Sequence, residues 1–492
     1  LETVRAYGAE RLAEAGEDQA LARAHAAWFL ELAEAAEPEL RRRDQLRWLD
    51  RLAAERDNLH AALRWATDSG DADTALRLAA ALGWYWTLTS ARAESLEWTA
   101  KAVALPGGDP GARAQVLAFR ALTTISGGID LEPALKLGTE AMAALDTLAP
   151  DERRRSHPIL TILPALLAMF DNDDQAALAR LAADRDDPDP WMAAAAHLIT
   201  GFLQVNMGEA AAAEREFDRA LARFRELGER WGAGQALVAR ADLAGTRGQH
   251  TQAMATLEEA MGVLAGLGDR EDVAQILVRR AGERARAGQL AEAAADLDAA
   301  DRLAQEVGAE DQKLHVRLTR ADLARWQGRL EEARALLDGA IADYRRGAYP
   351  VEQVHAVALV ARGHIELAAG DLAAARDGHD QALRVALGTF DRPVIARVTE
   401  LGAGIADASG DPGRAAELLG MAETLRGMPD EADLDLRRIS GAARAALGDP
   451  GFDRAYRRGA ARPREEVLAA LAAEVSSAAG TPAGPAGPPP PR

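Results

Sequence analysis

Cysteine is absent from the 492 residues. That excludes disulfides and thiolate metal sites and fits a reducing, cytoplasmic setting. Lysine occurs three times, at Lys101, Lys136 and Lys313, and never after a glycine. The chain therefore holds no G-x-x-x-x-G-K-[ST] loop, and P-loop nucleotide hydrolysis within it is excluded. Long apolar runs are also missing. The longest, Ile159 to Phe170, is interrupted by Pro164 and falls short of the roughly 18–20 residues a bilayer crossing needs. None of the nine histidines pairs with another at i, i+4, and no H-E-x-x-H or G-x-S-x-G occurs, so helical zinc and serine-nucleophile chemistry find no residues. No enzyme activity, cofactor or metal is expected. Acidic residues exceed basic ones, 77 to 58, for a net charge of −19. Such a surface repels phosphate backbones, so no direct nucleic-acid contact is expected, and no membrane partner. The opening Leu1-Glu2-Thr3-Val4-Arg5 is charged and helical in pattern, unlike a signal peptide. With no starting Met, the chain is expected to be cut from a longer protein.

What is present is a repeat. Hydrophobic residues make up 48% of the chain and aromatics 4%. Alanine leads the apolar set, a balance that suits closely stacked helices better than a sheet. Glycines at 208, 248, 288, 328, 370 and 410 recur every 40 or 42 residues. Five residues after each stands Ala213, Ala253, Ala293, Ala333, Ala375 or Ala415, and twelve after stands Ala220, Ala260, Ala300, Ala340, Ala382 or Ala422. Between them, at nine, come Phe217, Leu257, Leu297, Leu337, His379 and Leu419; seven before the glycine come Gly201, Ala241, Ala281, Ala321, Gly363 and Ala403. Offsets of five, nine and twelve share one helix face. The small residues admit a second helix, the large one fills the gap, and glycine ends the first helix at positive φ. These columns resemble the tetratricopeptide repeat, with a longer period than the usual ~34. The fold class expected is all-α, a helical-hairpin solenoid wound as a right-handed superhelix.

Five regions follow: residues 1–75 helical, 76–190 irregular helical repeats, 191–430 six repeats of about 40 residues, 431–475 capping helices, and 476–492 a Pro/Gly/Ala tail expected to be disordered. Within the second region, 84–104, 112–148 and 156–186 read as hairpins. Trp84, Tyr85, Trp86 and Trp98 are expected in the core, with a pocket lining as the alternative. Arg41-Arg42-Arg43 reads as a solvated helix end.

One column carries charge. Eight residues before the turn glycine stand Arg240, Arg280, Arg320 and Arg362. As a ladder they are candidates to hold an anionic ligand or an acidic partner segment. The alternative is that each pairs with a carboxylate of a neighbouring repeat, with Asp242 and Asp322 recurring two residues on.

The first hundred residues are similar to another group. Leu1-Glu2-Thr3-Val4-Arg5-Ala6-Tyr7, His25-Ala26-Ala27-Trp28-Phe29-Leu30, Trp48-Leu49-Asp50-Arg51-Leu52 and Glu55-Arg56-Asp57-Asn58-Leu59-His60-Ala61-Ala62-Leu63-Arg64-Trp65-Ala66 resemble the segment joining ATPase to repeats in AfsR-type regulators. These belong to the Streptomyces antibiotic regulatory class and related signal-transducing ATPases of actinobacteria. Ala415–Glu423 and Phe452–Tyr456 resemble the end of their repeat region. The resemblance implies a C-terminal sensor arm of a transcriptional regulator. Its partners would be the upstream ATPase module of the same regulator and an unknown small-molecule or protein inducer. A free-standing protein-interaction scaffold is the alternative.

Overall fold

In the computed structural model, residues 2–126, 131–153, 157–170, 173–268, 270–345, 351–389 and 391–479 are described. Residues 480–492, most of the expected tail, lie outside them; the last helix runs to Ala479. All regular structure among the described residues is helical.

Four helices open the chain: α1 (Glu2–Ala15), α2 (Asp18–Ala36), α3 (Gln45–Ala54) and α4 (Arg56–Ser69). Next comes the hairpin of α5 (Ala72–Leu88) and α6 (Arg92–Ala104). It begins well before residue 84, because Gly70 ends α4 at φ 77° and the Asp71 carboxylate caps α5 through the Thr74 N–H. The chain continues with α7 (Pro110–Ser126) and α8 (Leu131–Asp146), the single turn α9 (Pro150–Arg153), then α10 (Ile159–Phe170) and α11 (Asp174–Asp184). Helix α10 runs straight through Pro164, so that proline does not break the segment.

Six hairpins follow, each a first and a second helix: α12 (Pro190–Asn206) with α13 (Ala210–Leu227), α14 (Arg230–Thr246) with α15 (His250–Leu264), and α16 (Arg270–Arg286) with α17 (Leu290–Val307). The other three are α18 (Glu310–Trp326) with α19 (Leu330–Arg345), α20 (Glu352–Ala369) with α21 (Leu372–Thr389), and α22 (Arg392–Ala408) with α23 (Pro412–Arg426). The turn glycines all have positive φ, between 66° and 83°. The two alanine columns are buried throughout, and Phe217, Leu257, Leu297 and Leu337 between them are at most 1% exposed. The small column before the turn is required by contact: a Cβ on Gly201 would overlap the Phe217 ring. His379 fits its column because Gly402 faces it, where a Cβ would stand 3.0 Å from Nε2.

The helices before α12 share one core with the first repeats. Trp84, 2% exposed, meets Trp191 and Trp231 edge-on, each at 5.2 Å between centroids. Tyr85, Trp86 and Trp98 are buried as well. Arg41 is not a solvated helix end. It is 9% exposed, pairs with Glu37 at 3.0 Å and Asp189 at 3.5 Å, and lies 5.6 Å over the Trp191 ring. Glu37 is held at about 2 although burial pushes it up, because His157 and Arg41 both face it. Three helices close the chain: α24 (Leu434–Leu447), α25 (Asp449–Ala460) and α26 (Arg464–Ala479). Helix α25 lies backbone-to-backbone on α23, since a Cβ on Gly420 or Gly459 would overlap a carbonyl of the other helix.

Candidate partner-binding groove

The ladder arginines are each in an ion pair. Arg240 meets Asp218 at 2.9 Å. Arg280 meets Asp296 at 2.7 Å and Glu258 at 3.7 Å. Arg320 meets Asp298 at 2.8 Å and Asp301 at 2.9 Å. Arg362 meets Asp338 and, at 2.5 Å, Glu366. Their partners Asp218, Glu258, Asp298 and Asp338 form a column of their own, ten residues after the preceding turn glycine. Each pair therefore staples a first helix to the second helix of the hairpin before it. Asp242 and Asp322, the partners favoured by sequence proximity, instead meet Arg279 at 3.0 Å and Arg325 at 3.3 Å.

A second row of basic side chains lies at the ends of the first helices, charged at Arg286 and Arg325, while burial pushes the His364 imidazole below its ordinary value. Arg286, Arg325 and His364 belong to three consecutive hairpins and face the stretch from Asp430 to Asp435. Arg325 Nη1 meets Asp435 Oδ2 at 2.7 Å, and its side chain is 7% exposed. His364 Nδ1 stands 4.0 Å from the same carboxylate. Arg286 pairs with Glu283 at 2.8 Å and lies in the field of Asp430 and Asp433. Burial pushes the Asp433 carboxyl up, but His364, Arg286 and Arg325 together hold it below its ordinary value. The Glu431 N–H donates to the Thr246 carbonyl at 2.9 Å, which adds a fourth hairpin. Arg426, just before the stretch, makes a buried fork with Glu400 at 2.5 and 2.8 Å.

The chain geometry makes this the inside of a curl. Six residues extended reach roughly 20 Å, and a straight row of helices spaced 8–10 Å apart would outrun them once second helices intervene. First helices from four hairpins can meet so short a stretch only where their ends converge. Closure of the array shows the same curvature. Helix α12 touches α22, Arg392 donates to the Met207 carbonyl at 2.7 Å, and Arg464 donates to the Gly208 carbonyl at 2.9 Å. The stretch is itself braced. Asp430 accepts the N–H groups of Ala432 and Asp433, and Asp433 caps α24 through those of Asp435 and Leu436. Helix C-termini carry partial negative charge, so acidic residues settle there only against added cations, which Arg286 and Arg325 supply from the last turns.

The chain has a tetratricopeptide-type all-α solenoid fold. No family model matches it, and no curated protein does. Among solved structures, the solenoid is similar to a Rap protein complexed with competence and sporulation factor. The TM-score is 0.51 at 13% identity, covering 75% of this chain and 99% of that one. It is also similar to a tetratricopeptide-repeat protein from Parabacteroides merdae, with TM-score 0.36, 18% identity and coverage of 57% and 97%. A third similar structure is a signal transduction ATPase with numerous domains from Pyrococcus horikoshii, which carries a tetratricopeptide-repeat sensor. There the TM-score is 0.42 at 13% identity over 74% of the solenoid, which spans 55% of that protein. No helix among the described residues is long and apolar enough to cross a membrane.

The groove residues share no offset in the sequence. Arg286, Arg325 and His364 stand two, three and six residues before their turn glycines, so no column reveals them.

Proposed function

We propose that this solenoid is the ligand- or partner-binding regulatory arm of a bacterial transcriptional regulator, and that its groove recognises an acidic extended segment. The observation that carries the reading is the occupied groove. Arg286 and Arg325, from successive hairpins, face Asp433 and Asp435 of the chain itself, so the surface has the charge and shape to hold such a segment. A partner that binds there must displace the internal segment, which couples binding to the curl of the array. The regulator context rests on the resemblance of the opening motifs, from Leu1-Glu2-Thr3-Val4-Arg5 to Glu55–Ala66, which implies an ATPase module upstream. The arginine ladder, already stapled to carboxylates, is proposed to set the spacing of the repeats, and ligand contact passes to Arg286, Arg325 and His364. A free-standing interaction scaffold is the second reading; the repeat array alone favours it.

Calorimetry of the purified chain against the protein segment encoded immediately upstream of Leu1 separates the two. Binding that differs between ADP and ATP is the result expected for a regulatory arm. An upstream segment that binds neither nucleotide nor this chain would leave the scaffold as the account.

A further inference from the structure

The two ends of the first helices face different surroundings. Their last turns meet the acidic stretch; the first turns of α14, α16 and α18 meet α5, α6 and α7 across a cavity of about 300 Å3. Trp86 and Trp231 form part of its wall, and Arg92 bridges it to Glu271 at 2.8 Å. Acidic side chains in first turns are favoured by the helix dipole, so Glu271, Asp272 and Asp311 are not by themselves a site. What points to a ligand is the state of two neighbours lining the cavity. Asp311 is 8% exposed and Gln312 3%. Gln312 Nε2 donates to Asp311 Oδ2 at 2.9 Å. That leaves Asp311 Oδ1 and Gln312 Oε1 buried without a hydrogen-bond partner.

Buried polar atoms are seldom left unpaired, because each forfeits its hydration. Both atoms are acceptors, so the missing groups are donors. The cavity lining carries three carboxylates and one guanidinium, and indole faces attract cations. We infer that this cavity is a second binding site, for a small planar cation rich in N–H donors, of the guanidinium or amidinium class. Its N–H groups would bond Asp311 Oδ1 and Gln312 Oε1. The site joins α5, α6 and α7 to three repeats, so a bound cation ties the two together. It is separate from the groove that holds Asp430 to Asp435: either site can fail its test without the other.

The test is calorimetric titration of the full chain with agmatine, beside the Asp311→Asn variant and beside tetramethylammonium at equal ionic strength. Asparagine keeps the size and one acceptor oxygen but loses the charge. Circular dichroism of the variant confirms that the helices are retained. Saturable one-to-one binding of agmatine, at least tenfold weaker in the variant and absent for tetramethylammonium, is the expected result. No saturation by ~10 mM agmatine, a weak-binding limit, overturns the inference. So does equal binding by the folded variant, or equal binding of tetramethylammonium, which has charge but no N–H.

Discussion

Alanine at Gly427 is expected to destabilise the chain by about 3 kcal/mol, whereas alanine at Gly328 costs about 1 kcal/mol. Both glycines have positive φ, 79° and 76°, so both substitutions carry the left-handed penalty. They differ in what surrounds them. Nothing lies within 4 Å of a Cβ at Gly328, while at Gly427 it would overlap the Gly208 carbonyl oxygen. The obstacle is backbone, which cannot rotate away as a side-chain tip can. Gly208 is the turn of the first of the six hairpins and Gly427 follows the last, so the overlap falls on the seam where the curl closes. Urea denaturation of the two variants measures the difference. Equal midpoints for Gly427→Ala and Gly328→Ala would show that the seam is not closed in solution.

The second large effect is a pH dependence at the joint between the opening helices and the second hairpin. Glu229 is 1% exposed. It accepts N–H groups from Trp231 at 3.1 Å, Gly232 at 2.7 Å and Gln45 Nε2 at 2.7 Å. Burial pushes its carboxyl up to about 7, against the pull of those three donors. Between the unfolded value near 4.5 and about 7, the folded chain holds a proton that the unfolded chain has released. Stability from this group is therefore full below pH 4.5 and declines as pH rises to about 7, by about 3 kcal/mol in all. Glu229→Gln removes the titration. The wild-type stability profile minus the variant's should slope downward from pH 4.5 to 7 and be flat above. The readout is the slope, since the amide also changes the cap. A flat difference across that range would mean that the three donors keep Glu229 ionised.

The repeat array was legible because its constraints are local. A turn glycine, two alanines and one large residue at fixed offsets are needed by every hairpin, so they recur at a constant period. The ladder was half legible. Its arginines formed a visible column, but the carboxylates it pairs with sit in the preceding hairpin, at Asp218, Glu258, Asp298 and Asp338. Those residues also recur at a fixed offset, so the pairing was available from the sequence once first helices are matched to the hairpin before. Asp242 and Asp322 are close in sequence to two ladder arginines, yet residues two apart on a helix do not face each other. The groove around the acidic stretch was not legible. Arg325 and Asp435 are distant in sequence, and their meeting depends on how tightly six hairpins curl. That curvature sums small packing angles between repeats, and no single motif records it. The cavity at Asp311 and Gln312 depends on the same curvature and on where α5, α6 and α7 dock.

Titration of a fluorescent peptide spanning residues 427–438 tests the groove most directly, read by anisotropy on two chains. One is the wild type; the other carries Asp430→Asn, Glu431→Gln, Asp433→Asn and Asp435→Asn. Asparagine at 433 still caps α24, so the variant loses charge without losing its cap. The groove account predicts at least tenfold tighter binding to the variant than to the wild type, weakening as salt rises. No binding to either chain, or equal binding to both, would contradict it.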